Sequence, residues 1–78
     1  MRDTIVKIME KILDEKIYEL KDDEIIPDNL ENWDSLQHLS LVTAIEEEFN
    51  IILKPEEITL MNNGIKYILE ILNKHGVN

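Results

Sequence analysis

"NWDSLQHLSLVTAIEEEFNI", residues 32–51, is the stretch on which the fold turns. Asp34 followed three residues later by Gln37 has the form of a capping box, and apolar residues then recur at helical spacing as far as Asn50. The stretch therefore predicts a helix over 34–50 with Asp34 as its N-cap. Each helical residue turns by about 100°. With Ser35 set at zero, Leu41, Val42, Ile45 and Phe49 fall between roughly 240° and 340° and form a core face. His38, at about 300°, shares that arc and reads as a packed side chain rather than a base or a metal ligand. Leu36 and Leu39 lie elsewhere, at about 100° and 40°, with Thr43 at about 80°, Glu46 at about 20° and Glu47 at about 120°. Glu48, at about 220°, turns away from them and reads as solvated. The helix thus carries a second face on which Ser35, two leucines, a threonine and two carboxylates stand together. An apolar patch edged with acid suits a basic partner that has a hydrophobic socket. Burial of those leucines under the preceding loop is the plainer alternative.

Ser35 falls in the first turn, where leading N–H groups point outward and the helix dipole favours an anion. A phosphate ester there would be electrostatically welcome, with Asp34 partly opposing it. On local grounds alone, a serine at a helix start reads as a capping residue.

Outward from this helix, Ile5, Ile8, Met9, Ile12, Leu13 and Ile17 keep helical spacing and predict a first helix over 3–18, capped by Asp3 or Thr4. Glu10, Lys11, Asp14, Glu15 and Lys16 fill its solvated side. Residues 20–34 have no steady period and contain Pro27, so they predict a long loop, pinned by Ile25, Ile26, Leu30 and Trp33. Pro55 opens a short third helix through "EEITLM", and Asn62, Asn63 and Gly64 make a turn. Ile65, Ile68, Leu69 and Leu72 stripe a last helix that Gly76 stops, with His75 as a dipole partner at its end. The expected fold is all-α: a small bundle of three longer helices and one short one, with a long loop between the first and second, forming a single domain over 1–78.

Composition narrows the function classes. Seventeen acidic against eight basic residues give a formal net charge of −9, which repels nucleic acid and anionic membranes and draws in basic protein surfaces. Acid also keeps a small protein in solution, and charge alone does not separate the two roles. With no cysteine there is no thiol nucleophile, disulfide or thiolate metal site. Two isolated histidines offer no metal-ligand spacing, and "DNLENWD" fails as a calcium loop because Trp33 stands where glycine is required. His38 is turned about 60° from Ser35 around the helix, a poor arrangement for a nucleophile and its base. The chain is expected not to be an enzyme. No apolar run reaches the roughly 20 residues of a membrane span, and the N-terminus has no signal-peptide pattern, so the chain is expected in the cytoplasm; a monomer is expected as well.

Taken together, Asp34-Ser35-Leu36, the pattern through Leu39, Leu41, Val42 and Ile45, and "EEEFNI" at 46–51 resemble the acyl carrier protein family, whose wider class includes peptidyl carrier domains. The resemblance extends over nearly the whole chain. It implies that Ser35 is the attachment point for 4′-phosphopantetheine, delivered from coenzyme A by a phosphopantetheinyl transferase. The prosthetic thiol would hold acyl or aminoacyl groups as thioesters, which accounts for a carrier without cysteine. It also implies docking of basic loading, elongating and transfer enzymes through Asp34, Leu36, Leu39, Glu46 and Glu47. Asn32-Trp33 stand where fatty-acid carriers have Gly-Ala, Ser40 where an acid is common, and Thr43 where methionine is common. Trp-Asp-Ser-Leu is similar to stand-alone carriers of specialised pathways. The competing expectation is an acidic helical interaction module of the same shape that is never modified.

Overall fold

Amphipathic stretches of this chain can bury their stripes only against one another, and they do so in the computed structural model, which describes residues 1–77. Four helices follow in order: α1 (Arg2–Leu13), α2 (Ser35–Phe49), α3 (Pro55–Met61) and α4 (Ile65–Lys74). No strand occurs among the described residues. Helix α1 packs on α2 and α3 on α4. The core is drawn from all four: Ile5, Met9 and Leu13 of α1, Leu41 and Ile45 of α2, Met61 of α3, and Ile65, Ile68 and Leu72 of α4. The three-plus-one bundle expected from the sequence is the fold that forms, with α3 the short member at 7 residues.

The first helix departs from its expected limits at both ends. It starts at Arg2 with Met1 as N-cap and no side-chain cap bond, so neither Asp3 nor Thr4 caps it. It stops at Leu13 rather than running to Tyr18, because Asp14 adopts the left-handed conformation (φ 54°, ψ 45°) that Asp tolerates better than most residues. The freed backbone is then taken over by side chains. The Glu10 carboxylate accepts from the Ile17 N–H at 2.7 Å and the Tyr18 N–H at 3.0 Å. The Asn32 side-chain amide donates to the Leu13 carbonyl at 2.8 Å, and Glu15 accepts from the Asn32 N–H at 2.9 Å. Ile17 is fully buried, but from the loop and not from a fourth helical turn. Glu10 and Glu15, expected on a merely solvated side, are instead the acceptors that fold the chain back.

The loop over 14–34 carries two 3₁₀ turns, Asp22–Glu24 and Pro27–Asn29. Ile25, Leu30 and Trp33 are buried as expected, while Ile26 is only half-buried. Its midpoint is tied to α4 by the Ile65 N–H, which donates to the Ile25 carbonyl at 3.0 Å. Gly64 makes that approach possible. Its φ of 139° lies where side chains are rarely found, and a Cβ there would meet Ile26 Cγ2 at 3.0 Å and the Ile25 oxygen at 3.1 Å. The radius of gyration, 11.2 Å, is close to the roughly 11.5 Å of a compact domain of this length, so the loop is packed on the bundle rather than extended from it.

At the far end of the bundle, Glu57 joins α3 to α4. Its carboxylate accepts from the Lys54 N–H at 2.9 Å, and His75 Nε2 donates to it at 3.0 Å. The Lys54 N–H, and then His75, hold the Glu57 carboxyl below its ordinary range against the opposing effect of burial. His75, expected only to face the helix dipole, is therefore a hydrogen-bond partner of Glu57. After Gly76 (φ 82°) the Val77 N–H returns to the Leu72 carbonyl at 3.0 Å and closes α4 as expected.

The two loop N–H groups on Glu10, Ile17 first and then Tyr18, likewise depress its carboxyl. A depressed folded value means that the carboxylate's contribution is complete above the ordinary carboxylate range and disappears as pH falls through the depressed value. Glu10→Ala is therefore expected to lower the urea midpoint near neutral pH, and the gap to the parent chain should close in acid. Equal gaps at both pH values would show that Glu10 acts through packing instead.

Candidate functional site

Helix α2 begins where the sequence places it. Asp34 is the N-cap, and its Oδ1 accepts from the Gln37 N–H at 2.8 Å. Only this half of the expected capping box forms: the Gln37 side chain makes no return bond to the Asp34 N–H among the described residues. Because Asp34 caps, Ser35 does not have to. Its hydroxyl is exposed and makes no hydrogen bond to the protein among the described residues, which sets aside the local reading of Ser35 as a cap. Nor do the N–H groups of Ser35 and Leu36 find an acceptor there, so the first turn of α2 presents an unused hydroxyl beside two outward N–H donors. Such a group is chemically suited to carry a phosphodiester.

Around this hydroxyl the two leucines stand free. Leu36 is 72% exposed and Leu39 56%, so the loop does not cover them. Thr43 is exposed, with its hydroxyl donating to the Leu39 carbonyl at 3.0 Å. The core face is as the helical wheel places it, with Leu41, Val42 and Ile45 buried and Phe49 half-buried.

The two carboxylates of the second face differ. Glu47 is exposed and lies with Glu48 and Lys11 on the rim of an open groove of about 330 Å³ between α1 and α2, floored by Ile8, Ile12 and Ala44. Glu46 is half-buried, and its Oε2 accepts from the Leu53 N–H at 2.8 Å. It holds the connection to α3 in place. Asn50, left-handed at φ 54°, ends the helix there, and Ile51 N–H closes on the Glu46 carbonyl at 3.1 Å.

That connection exposes a residue that the sequence reading passed over. Ile52 is 85% exposed between half-buried Ile51 and buried Leu53, and Leu60 on α3 is 48% exposed. The signal was the Ile-Ile-Leu run after Asn50: extended chain alternates its side chains, so the middle residue points outward.

His38 is buried, as expected. The Trp33 indole N–H donates to its Nδ1 at 3.0 Å, and its Nε2 donates to the Ile58 carbonyl at 2.8 Å. Occupied on both nitrogens, it offers no base to Ser35. Among the described residues no cluster of three or more His, Cys, Asp or Glu side chains could hold a metal ion, and no helix is long and apolar enough to cross a membrane.

The chain thus folds as a small helical bundle with an exposed serine at the start of its second helix. The chain is 30% identical over 78 residues to the acyl carrier protein of Cyanidium caldarium, covering 92% of this chain and 91% of that one. It is 38% identical over 71 residues to the acyl carrier protein of Buchnera aphidicola subsp. Schizaphis graminum (strain Sg), covering 91% and 89%. No protein-family model matches the chain, and no solved structure does. The chain belongs to the acyl carrier protein family and is a carrier, not an enzyme.

The unequal roles of Glu46 and Glu47 are separable. Glu46→Ala is expected to cost about 1.5 kcal/mol of stability by urea unfolding, the low end of the scale for a lost bond between a carboxylate and an N–H. Glu47→Ala should stay within about 0.5 kcal/mol of the parent chain. Equal losses would mean that the Leu53 bond contributes nothing.

Proposed function

We propose that Ser35 is the residue that receives 4′-phosphopantetheine from coenzyme A, through a phosphopantetheinyl transferase. The observation that carries this reading is the Ser35 hydroxyl itself: exposed, unbonded to the protein, and held on the rigid first turn of a helix that Asp34 caps independently. When attached, the group supplies a terminal thiol that holds acyl or aminoacyl cargo as a thioester. The chain contributes the rest. Ser35 Oγ provides the ester oxygen, and the free N–H groups of Ser35 and Leu36 lie at the positive end of α2, where a phosphodiester's negative charge is favoured. The Asp34 carboxylate, committed to the Gln37 N–H, fixes the turn that carries the hydroxyl.

Docking belongs to the same face. Leu36 and Leu39 offer apolar anchors beside the attachment point, and Asp34 and Glu47 offer exposed acid to a basic rim. Glu46 joins them with only part of its carboxylate free, since one oxygen is held by Leu53. The partners that suit this surface are the transferase and the loading, elongating and transfer enzymes of a biosynthetic system that hands on thioesters. Trp33 and the polar Ser40 and Thr43 around the helix support a specialised pathway over housekeeping fatty-acid synthesis.

Incubation with coenzyme A and a broad-specificity transferase is expected to add the mass of one phosphopantetheine to the intact chain and nothing to Ser35→Ala. The Ser35→Ala variant should keep its helicity, because the cap is Asp34. A folded parent chain that stays unmodified with two transferases would leave an acidic interaction module with a carrier's shape.

Charge reversal at Glu47 gives a second test. Glu47→Lys is expected to lower the second-order rate of modification roughly tenfold at low ionic strength and much less at high salt. A rate that does not change at either salt would place docking on another face.

A further inference from the structure

A chain of hydrogen bonds runs from Trp33 through His38 to Ile58. Trp33 and His38 are 4% and 5% exposed, and they join three separate elements: the long loop, α2 and α3. An indole N–H can only donate, so the 3.0 Å contact requires a bare, accepting Nδ1 on His38. The ring proton is then on Nε2, which donates to the Ile58 carbonyl at 2.8 Å. Ile58 is the middle residue of the seven in α3 and so one of its last four, whose carbonyls have no partner within the helix. The Asn62 N–H that could have served it bonds to the Thr59 carbonyl instead. His38 thus supplies a bond that a helix this short cannot supply for itself.

We propose that His38 is a proton-sensitive clamp holding α3 to α2, closed while its imidazole is neutral and opened when the ring takes up a second proton. A doubly protonated ring carries an N–H on Nδ1, and that N–H would face the indole N–H donor to donor. One of them must lose its partner inside the core, or the ring must leave Ile58. The groups around His38 do not relieve this conflict. On α2, Asp34 stands one turn earlier with its carboxylate on the Gln37 N–H. From the loop the facing group is the uncharged indole, and from α3 it is the Ile58 carbonyl. The neighbouring Glu57 of α3 is turned to His75 and the Lys54 N–H. Among the described residues no carboxylate oxygen lies within 4.0 Å of either His38 nitrogen.

His75 contacts Glu57 at 3.0 Å and so joins α3 to α4 rather than to α2. The proposal stands on this geometry and does not depend on modification of Ser35.

Nuclear magnetic resonance on the ¹⁵N-labelled full chain tests it. Near neutral pH the imidazole ¹⁵N signals of His38 should report a proton on Nε2 and none on Nδ1. Amide exchange, corrected for intrinsic rates, should then be followed from about pH 7.5 to about pH 5.5, the range in which an ordinary imidazole gains its proton. Protection in α3 is expected to fall about tenfold more than in α1, on the scale of one or two lost bonds. His38→Gln can accept from Trp33 and donate to Ile58 without titrating, and should hold α3 protection constant; His75→Asn should retain the fall. The clamp is overturned by a proton on Nδ1, by α3 protection that does not change relative to α1, by an equal fall in His38→Gln, or by loss of the fall in His75→Asn.

Discussion

A backbone N–H outside a helix must find an acceptor, and in this chain six carboxylates share that task with the backbone carbonyls. Glu10 receives Ile17 and Tyr18, Glu15 receives Asn32, Glu24 receives Lys21, Asp34 receives Gln37, Glu46 receives Leu53, and Glu57 receives Lys54. Such bonds are shorter and stronger than neutral ones, and each fixes the point at which the chain changes direction. A domain of 78 residues with a long loop has little core to hold that loop, so charge-assisted bonds share the task with Ile25, Leu30 and Trp33. The net charge of −9 is therefore not simply a field for solubility or steering. Part of the acid is built into the turns, while Glu47 is exposed on the surface of α2.

This division explains which features were legible in the sequence. The second helix was read almost to the residue, because a capping aspartate, a steady apolar stripe and a closing asparagine agree with one another. Its outward face was legible for the same reason: a helical wheel depends only on periodicity, and Leu36 and Leu39 are exposed where it puts them. The first helix misled because Ile17 continues the period of Ile5, Met9 and Leu13 while being buried from a different backbone. Periodicity records which residues are buried, not which conformation buries them. The left-handed Asp14 and the reach of Glu10 across seven residues are tertiary facts with no local signature.

The same blindness applies within the candidate site. On the wheel Glu46 and Glu47 are neighbours on one face, and nothing local distinguishes them. What separates them is the Leu53 N–H, which arrives only once the chain has turned at Asn50. Ile52 is the converse case, since its exposure follows from alternation in extended chain and could have been read from the Ile-Ile-Leu run. His38 was read correctly as packed, but its partners were not readable, because Ile58 is twenty residues away and belongs to another helix.

A carrier has to keep one residue free while fixing everything around it, and the start of α2 shows how adjacent positions share that requirement. Had Ser35 been the cap, its hydroxyl would be tied to a backbone N–H, and any ester there would break the cap that positions it. Placing the acceptor on Asp34, one residue earlier, leaves Ser35 in the helix but outside its hydrogen bonding. One residue earlier again, Trp33 turns inward and donates to His38, so the backbone leading into the turn is anchored in the core. Three consecutive side chains thus point to three destinations: the core, the helix's own backbone, and solvent. The freedom of the third depends on the commitment of the other two. That dependence makes Trp-Asp-Ser a physical unit, and it accounts for an exposed hydroxyl on a fixed helix start.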